Sequence, residues 1–126
     1  VTHAGVNPLP IQHTIPVWFG GGSDATLKRA AHLGDGWIPL GNPGSKTIKM
    51  IEKLNSFLEE ENRDRTKFGI EAWIRYGEGE PDVWRATAEK WKQLGATHLT
   101  FYTSGQGAGT VPEQIEAMKI FKDAMQ

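Results

Sequence analysis

Ile15-Pro16-Val17-Trp18-Phe19-Gly20-Gly21-Gly22-Ser23-Asp24-Ala25-Thr26-Leu27 reads as a short apolar strand, a glycine turn and the start of a helix. Val17 and Phe19 are strand formers, and Pro16 is tolerated only at a strand's first residue or edge. Gly20, Gly21 and Gly22 let the backbone turn sharply and approach another group with no Cβ in the way. Ser23 is a good N-cap, and Asp24 suits the positive end of the helix it opens. A strand that delivers a glycine loop onto a helix N-terminus can hold an anion on free backbone N–H groups. Turning the corner is the competing role for the same glycines, because a glycine-rich strand–helix turn is a weak motif by itself.

Outward from this stretch the pattern repeats. A strand over about 15–20 and a helix over about 24–33 come first, the helix burying Leu27, Ala30 and Ala31 with Leu33 beside them and ending at Gly34. Trp37-Ile38-Pro39-Leu40 is a second strand, and Gly41-Asn42-Pro43-Gly44 breaks the chain before a helix capped by Ser45. Thr47, Ile51, Leu54 and Leu58 mark the buried face of that helix, widened by Ile48 and Met50. The charge run over 59–65 reads as a solvated helix end and loop. A third strand over 69–76 alternates Ile70, Ala72, Ile74 and Tyr76 against Glu71, Trp73 and Arg75. Pro81 opens a third helix with a Trp84, Thr87, Ala88, Trp91, Leu94 stripe. His98–Tyr102 is the fourth strand. A second glycine loop, 104–109, leads to a last helix carrying Ile115, Met118, Phe121 and Met125. Residues 1–14 form an irregular lead-in. Four consecutive strand–helix units mean a parallel sheet with helical crossovers, one α/β domain over 1–126. A complete (β/α)8 barrel has eight such units in about 250 residues, so this chain holds four parallel βα units, half of such a barrel.

At 126 residues and a net charge of −1, nothing points to a nucleic-acid surface. With no cysteine there is neither a disulfide scaffold nor a cysteine-type zinc site. No apolar run approaches the roughly 20 residues of a membrane span. Val1-Thr2-His3-Ala4 is neither a signal peptide nor an initiation site, so the chain reads as cut from something longer and as cytoplasmic.

Pro8-Leu9-Pro10-Ile11-Gln12 followed by Ile15 to Gly21 resembles the lead-in and fifth strand of the bacterial luciferase-like monooxygenase family. Leu27-Lys28-Arg29-Ala30-Ala31-His32-Leu33-Gly34-Asp35-Gly36-Trp37-Ile38-Pro39-Leu40-Gly41 is similar to that family's next helix and strand, and Leu94-Gly95-Ala96-Thr97-His98-Leu99 to its final unit. His13-Thr14 and Tyr102-Thr103-Ser104 depart from the family's usual pattern. The resemblance implies the C-terminal half of a barrel that binds FMN or the deazaflavin F420 for hydride transfer or oxygenation of a small-molecule substrate. It makes Gly20, Gly21, Gly22 and Ser23, together with Leu40 and Gly41, candidates for the cofactor's phosphate. Read from the loop itself and not from the resemblance, Lys46 is a second phosphate contact, with a plain exposed lysine at a helix start as the favoured competing role. Asp24 counts against the first glycine loop by repelling a phosphate. The alternative is a stand-alone half-barrel with a binding or structural role and no catalysis.

Other readings of the same residues are weaker. Gly41-Asn42-Pro43-Gly44-Ser45-Lys46-Thr47 fails as a nucleotide P-loop because Ser45 stands where glycine must precede the lysine. His3, His13, His32 and His98 share no metal-type spacing, so no metal ligand is named. Glu71 and Arg75 read as an ion pair inside the sheet, with Arg75 near enough to the strand's end to face a cofactor. No nucleophile–base constellation assembles, so no catalytic residue is named. Trp18, Trp37, Trp73 or their neighbours are expected on the inner face of a sheet apolar on both sides, which needs cover. The expected partner is a second copy, or the barrel's N-terminal half, across an obligate interface of upwards of roughly 2,000 Å².

Overall fold

A computed structural model describes residue 11 and residues 14–126. Most of the lead-in, with His3, His13 and most of the Pro8 to Gln12 stretch, lies outside them. The order is β1 (Trp18–Gly20), α1 (Asp24–Leu33), β2 (Gly36–Ile38), α2 (Ser45–Glu60), β3 (Gly69–Arg75), α3 (Pro81–Gln93), β4 (His98–Tyr102) and α4 (Val111–Ala124), with single 3-10 turns at Arg65–Lys67 and Tyr76–Glu78. The strands form one sheet, β1-β2-β3-β4, every pair parallel. This is the half-barrel arrangement the strand–helix alternation predicts.

The first two strands are shorter than their apolar runs. Gly36 replaces Leu40 in β2 because Pro39 has no N–H for the ladder. β1 begins only at Trp18, yet its pairing reaches one residue further back through a side chain. Asp35 Oδ2 accepts the Val17 N–H at 2.7 Å, while the Asp35 N–H donates to the Val17 carbonyl at 2.7 Å. Thr97 repeats the device at the entry of β4: its hydroxyl oxygen accepts from the Ile70 N–H at 3.0 Å, and its own N–H donates to the Ile70 carbonyl at 2.9 Å. Both satisfy backbone groups that would otherwise be orphaned where the ladder starts.

The helix-covered face is the core. Leu27, Ala30 and Ala31 of α1, Ile51, Leu54 and Leu58 of α2, Phe68, Ile70 and Trp37 form one buried cluster. Trp37 therefore points outward to the helices, not to the inner face as expected, because β2 starts at Gly36 and alternation sends its second residue to the Ile70 side. Ile48 is exposed and Met50 half-buried, so the α2 face is narrower than its apolar content implies. On the β4 side, Phe101 stacks on Phe121 at 4.0 Å and meets Trp84 edge-on at 5.0 Å. That contact rotates α4 so that Ala117 and Ala124 are its buried residues. Ile115 and Met118, expected inside, are 46% and 48% exposed.

The inner face is more polar than expected. It carries Trp18, Gly36 and Gly69 on one row and Glu71, Trp73, Arg75, His98, Thr100 and Tyr102 above it. The Trp18 indole lies across the two glycines: a Cβ on Gly36 or Gly69 would sit 2.3 or 2.1 Å from its ring atoms. The ring also meets His98 edge-on at 5.0 Å. Glu71 and Arg75 do not pair. Four residues of strand span about 13 Å, and Arg75 instead reaches Glu78 at 2.9 Å.

The charge run is not simply solvated. Arg63 Nη1 donates to the Ala31 carbonyl at 2.9 Å and to the Gly34 carbonyl, closing the end of α1. Arg65 donates to Asn55 Oδ1 at 3.1 Å, the Phe68 carbonyl at 2.8 Å and the Gly95 carbonyl at 3.1 Å, joining α2, the entry of β3 and the end of α3. Burial pushes its guanidinium below the ordinary arginine range.

Two outcomes follow from this packing. Gly69→Ala lowers stability by about 1–3 kcal/mol through collision with the indole, and Trp18→Leu in the same chain recovers part of the loss; a double-mutant cycle by urea denaturation reads the coupling, and strict additivity would refute the contact. Arg65→Ala costs about 1.5–3 kcal/mol by the same measurement, and Arg65→Lys restores only part because an ammonium lacks the planar fork.

Candidate functional site

In a parallel sheet with helical crossovers the loops after the strands share one face, where helix N-termini point. Four such termini are present among the described residues, and they differ in who satisfies their N–H groups. At α1, Ser23 accepts from the Thr26 N–H at 3.2 Å and pairs with the Thr26 hydroxyl at 2.9 Å. At α4 a capping box closes the end: the Glu113 carboxylate accepts from the N–H groups of Thr110 at 2.8 Å and Gly109 at 3.0 Å, and Thr110 accepts from the Glu113 N–H at 3.4 Å. At α3 no side chain caps the end, and its first turn carries Asp82, paired with Arg85 at 2.9 Å.

α2 is different. Its N-cap is Gly44, with no side-chain hydrogen bond and no acidic residue in the first turn. Ser45, expected as the cap, is instead the first helical residue. The 16-residue helix thus presents uncapped N–H groups and the positive end of its dipole, with Lys46 in that first turn.

This end opens on a cleft of about 310 Å³ lined by Gly22, Leu40, Gly41, Asn42, Lys46, Thr47 and Met50. The structure therefore brings Gly22, Leu40 and Gly41 together with Lys46. Gly20, Gly21 and Ser23 are not among its lining residues. Gly21, at φ +118°, receives the Trp37 indole N–H on its carbonyl at 2.6 Å and donates to the Ile38 carbonyl at 3.3 Å. Thr47 donates its hydroxyl proton to the Asn42 carbonyl at 2.7 Å, folding the second loop against the helix. Asp24 is held by Lys53 at 2.7 Å, which offsets the repulsion expected of it. Asn42, which belongs to the loop after the second strand, joins Leu40 and Gly41 in the lining, and Met50, read from sequence only as part of the α2 face, lines it too.

A larger cleft, about 390 Å³, lies at the opposite end of the sheet beside Trp91, Thr97, His98 and Gln126. It sits where the strands begin, away from the helix N-termini. Among the described residues no helix is long and apolar enough to cross a membrane.

A family model described as luciferase-like monooxygenase matches residues 1–121. The structure of coenzyme F420-dependent tetrahydromethanopterin reductase from Methanopyrus kandleri superposes with a TM-score of 0.68 and 13% identity, covering 89% of this chain and 51% of that one. An F420-dependent secondary alcohol dehydrogenase in complex with an F420-acetone adduct matches with a TM-score of 0.44 and 18% identity, covering 88% of this chain and 41% of that one. The chain thus spans about half the length of the solved structures it matches. The first of them establishes the fold as half of a (β/α)8 barrel.

The self-capped end of α4 has a pH signature. Hydrogen bonds to Glu113, first from the Thr110 N–H, then from its side chain and from the Gly109 N–H, hold its carboxyl below the usual glutamate range. A depressed folded pKa gives stability that is present above the unfolded value of about 4.3 and is lost as pH falls through the folded one. Glu113→Gln flattens that acid-side loss in thermal melts taken from neutral pH downward; identical slopes for both proteins would refute it.

Proposed function

Because the chain belongs to the luciferase-like monooxygenase family, we propose that it supplies the cofactor-phosphate site of an FMN- or F420-dependent oxidoreductase. One observation carries this reading: the only helix on that face with neither a side-chain cap nor a first-turn acid, among the described residues, is also the one with Lys46 beside a cleft. The N–H groups of the first turn of α2 and the Lys46 ammonium would hold the phosphate, with Gly41 leaving room for it and Asn42 on the rim. FMN ends in a phosphate monoester and F420 carries a phosphate within its side chain, so both present the anion this end attracts. The bound ring supplies hydride transfer, and in the flavin case also oxygen chemistry. This chain's own part is to anchor and orient. In this reading the outer edges of β1 and β4, unpaired among the described residues, meet the rest of a barrel or a second copy.

Isothermal titration of FMN and of F420 into the full chain tests the proposal and decides between the two cofactors. Lys46→Ala weakens the preferred one about tenfold, or ~1.4 kcal/mol. Failure of both to bind, or an unchanged affinity in Lys46→Ala, would overturn it.

A further inference from the structure

Trp73, two residues before the end of β3, and Tyr102, the last residue of β4, stand on the inner face toward the strand ends where the helix N-termini lie. Their rings stack at 5.9 Å with planes 19° apart. Tyr102 is 38% exposed and Trp73 half-buried, so the pair leaves ring surface uncovered. Both belong to the row opposite Ile70, Ala72 and Ile74, which are fully taken up by the helix side. The pair has no role in the core.

A carboxylate holds it in place. Glu71 Oε1 accepts from the Trp73 indole N–H at 3.2 Å and from the Thr100 hydroxyl at 2.7 Å. Thr100 is the register partner of Trp73, and Tyr102 that of Arg75. Glu71 thus ties the indole to the strand that carries the tyrosine. Arg75 is engaged by Glu78, and Glu71 has no ion-pair partner among the described residues. An indole whose N–H donates to a carboxylate has more electron density on its ring. Its face is then a better stacking surface for an electron-poor ring than for an electron-rich one.

We propose that Trp73 and Tyr102, fixed by Glu71, form a wall that stacks an electron-poor planar heteroaromatic ring on the inner face of the sheet. The identity of that ring, the oxidised flavin or deazaflavin, rests on the function proposed above. The geometry is compatible: β2 and β4 are two strand spacings apart, about 10 Å, within the reach of a ring joined to its phosphate by a pentitol chain. Trp73 and Tyr102 are binding residues in this scheme, and Glu71 is a positioning residue acting through Trp73.

Lumiflavin, the isoalloxazine ring with no phosphate, separates the wall from the phosphate site. An indole stacked on an oxidised flavin quenches its fluorescence by electron transfer. The full chain therefore quenches lumiflavin on titration, and Trp73→Leu and Tyr102→Leu each raise the dissociation constant about tenfold. Trp73→Leu in addition restores the fluorescence of bound ring. Trp73→Phe keeps the ring but not the N–H: it recovers binding and not quenching. Glu71→Gln lowers affinity by a smaller factor with circular dichroism unchanged. Lys46→Ala leaves lumiflavin binding as it is while weakening FMN. No quenching of lumiflavin by the unaltered chain, or quenching indifferent to both Trp73→Leu and Tyr102→Leu, overturns the wall. If FMN binding still depends on Lys46 in that case, the phosphate site stands without it. Quenching of lumiflavin with FMN bound no more tightly leaves the wall standing and removes the phosphate site.

Discussion

The indole of Trp18 laid over the α-carbons of Gly36 and Gly69 is the contact on which the rest depends. The three residues are register partners on adjacent strands, so one ring covers the row where the sheet begins. A side chain at either glycine would lift the ring off the row. Without the ring, two glycine backbones would face the lumen bare. The Leu33-Gly34-Asp35-Gly36-Trp37 segment acquires its physical meaning here. Gly36 makes room for Trp18, Asp35 extends the ladder to Val17, and Trp37, one residue on, crosses to the helix side and steadies the glycine turn.

The two ends of the sheet are built for different purposes. Where the strands begin, polar groups are consumed internally: Asp35 and Thr97 complete the ladders, Arg63 closes α1, and Arg65 joins three elements. Charged hydrogen bonds to otherwise unpaired carbonyls are the stronger kind. Where the strands end, the chain leaves polarity available at one place. Three helix N-termini are closed by their own side chains or carry a first-turn acid, and α2 is open. A rigid base and one unsatisfied terminus are what a pre-formed anion site requires.

The two glycine-terminated corners, Leu33-Gly34 and Leu94-Gly95, look like a repeat but act differently. Gly95 has φ +82°, a left-handed turn where glycine is favoured. Gly34 is extended, and glycine is there because a Cβ would meet the Ala30 carbonyl and the Phe19 ring at 2.8 Å. Equal residues at equal places serve backbone freedom in one corner and close packing in the other.

Periodicity alone determined the succession of four strand–helix units, the buried faces of α1 and α2 and the bounds of β4, because those elements bury one continuous apolar stripe and local alternation reports it. The glycine loops marked the face where strand ends meet helix starts, since glycine-rich breaks sit between them. What tertiary structure decided was everything set by a distant neighbour. The α4 face turned away from Ile115 and Met118 because Phe121 found Phe101. Trp37 lies on the helix side because the register puts Gly36 under the Trp18 ring and Trp37 beside Ile70. The arginines of the charge run became cross-links because the ends of α1 and α3 offered them carbonyls. The choice of α2 over α1 as the open terminus was out of reach of the sequence for the same reason. Ser23 and Ser45 look alike as caps, but only the folded chain shows that Ser23 accepts its helix's N–H while Gly44 takes the cap position ahead of Ser45 and leaves that end uncapped.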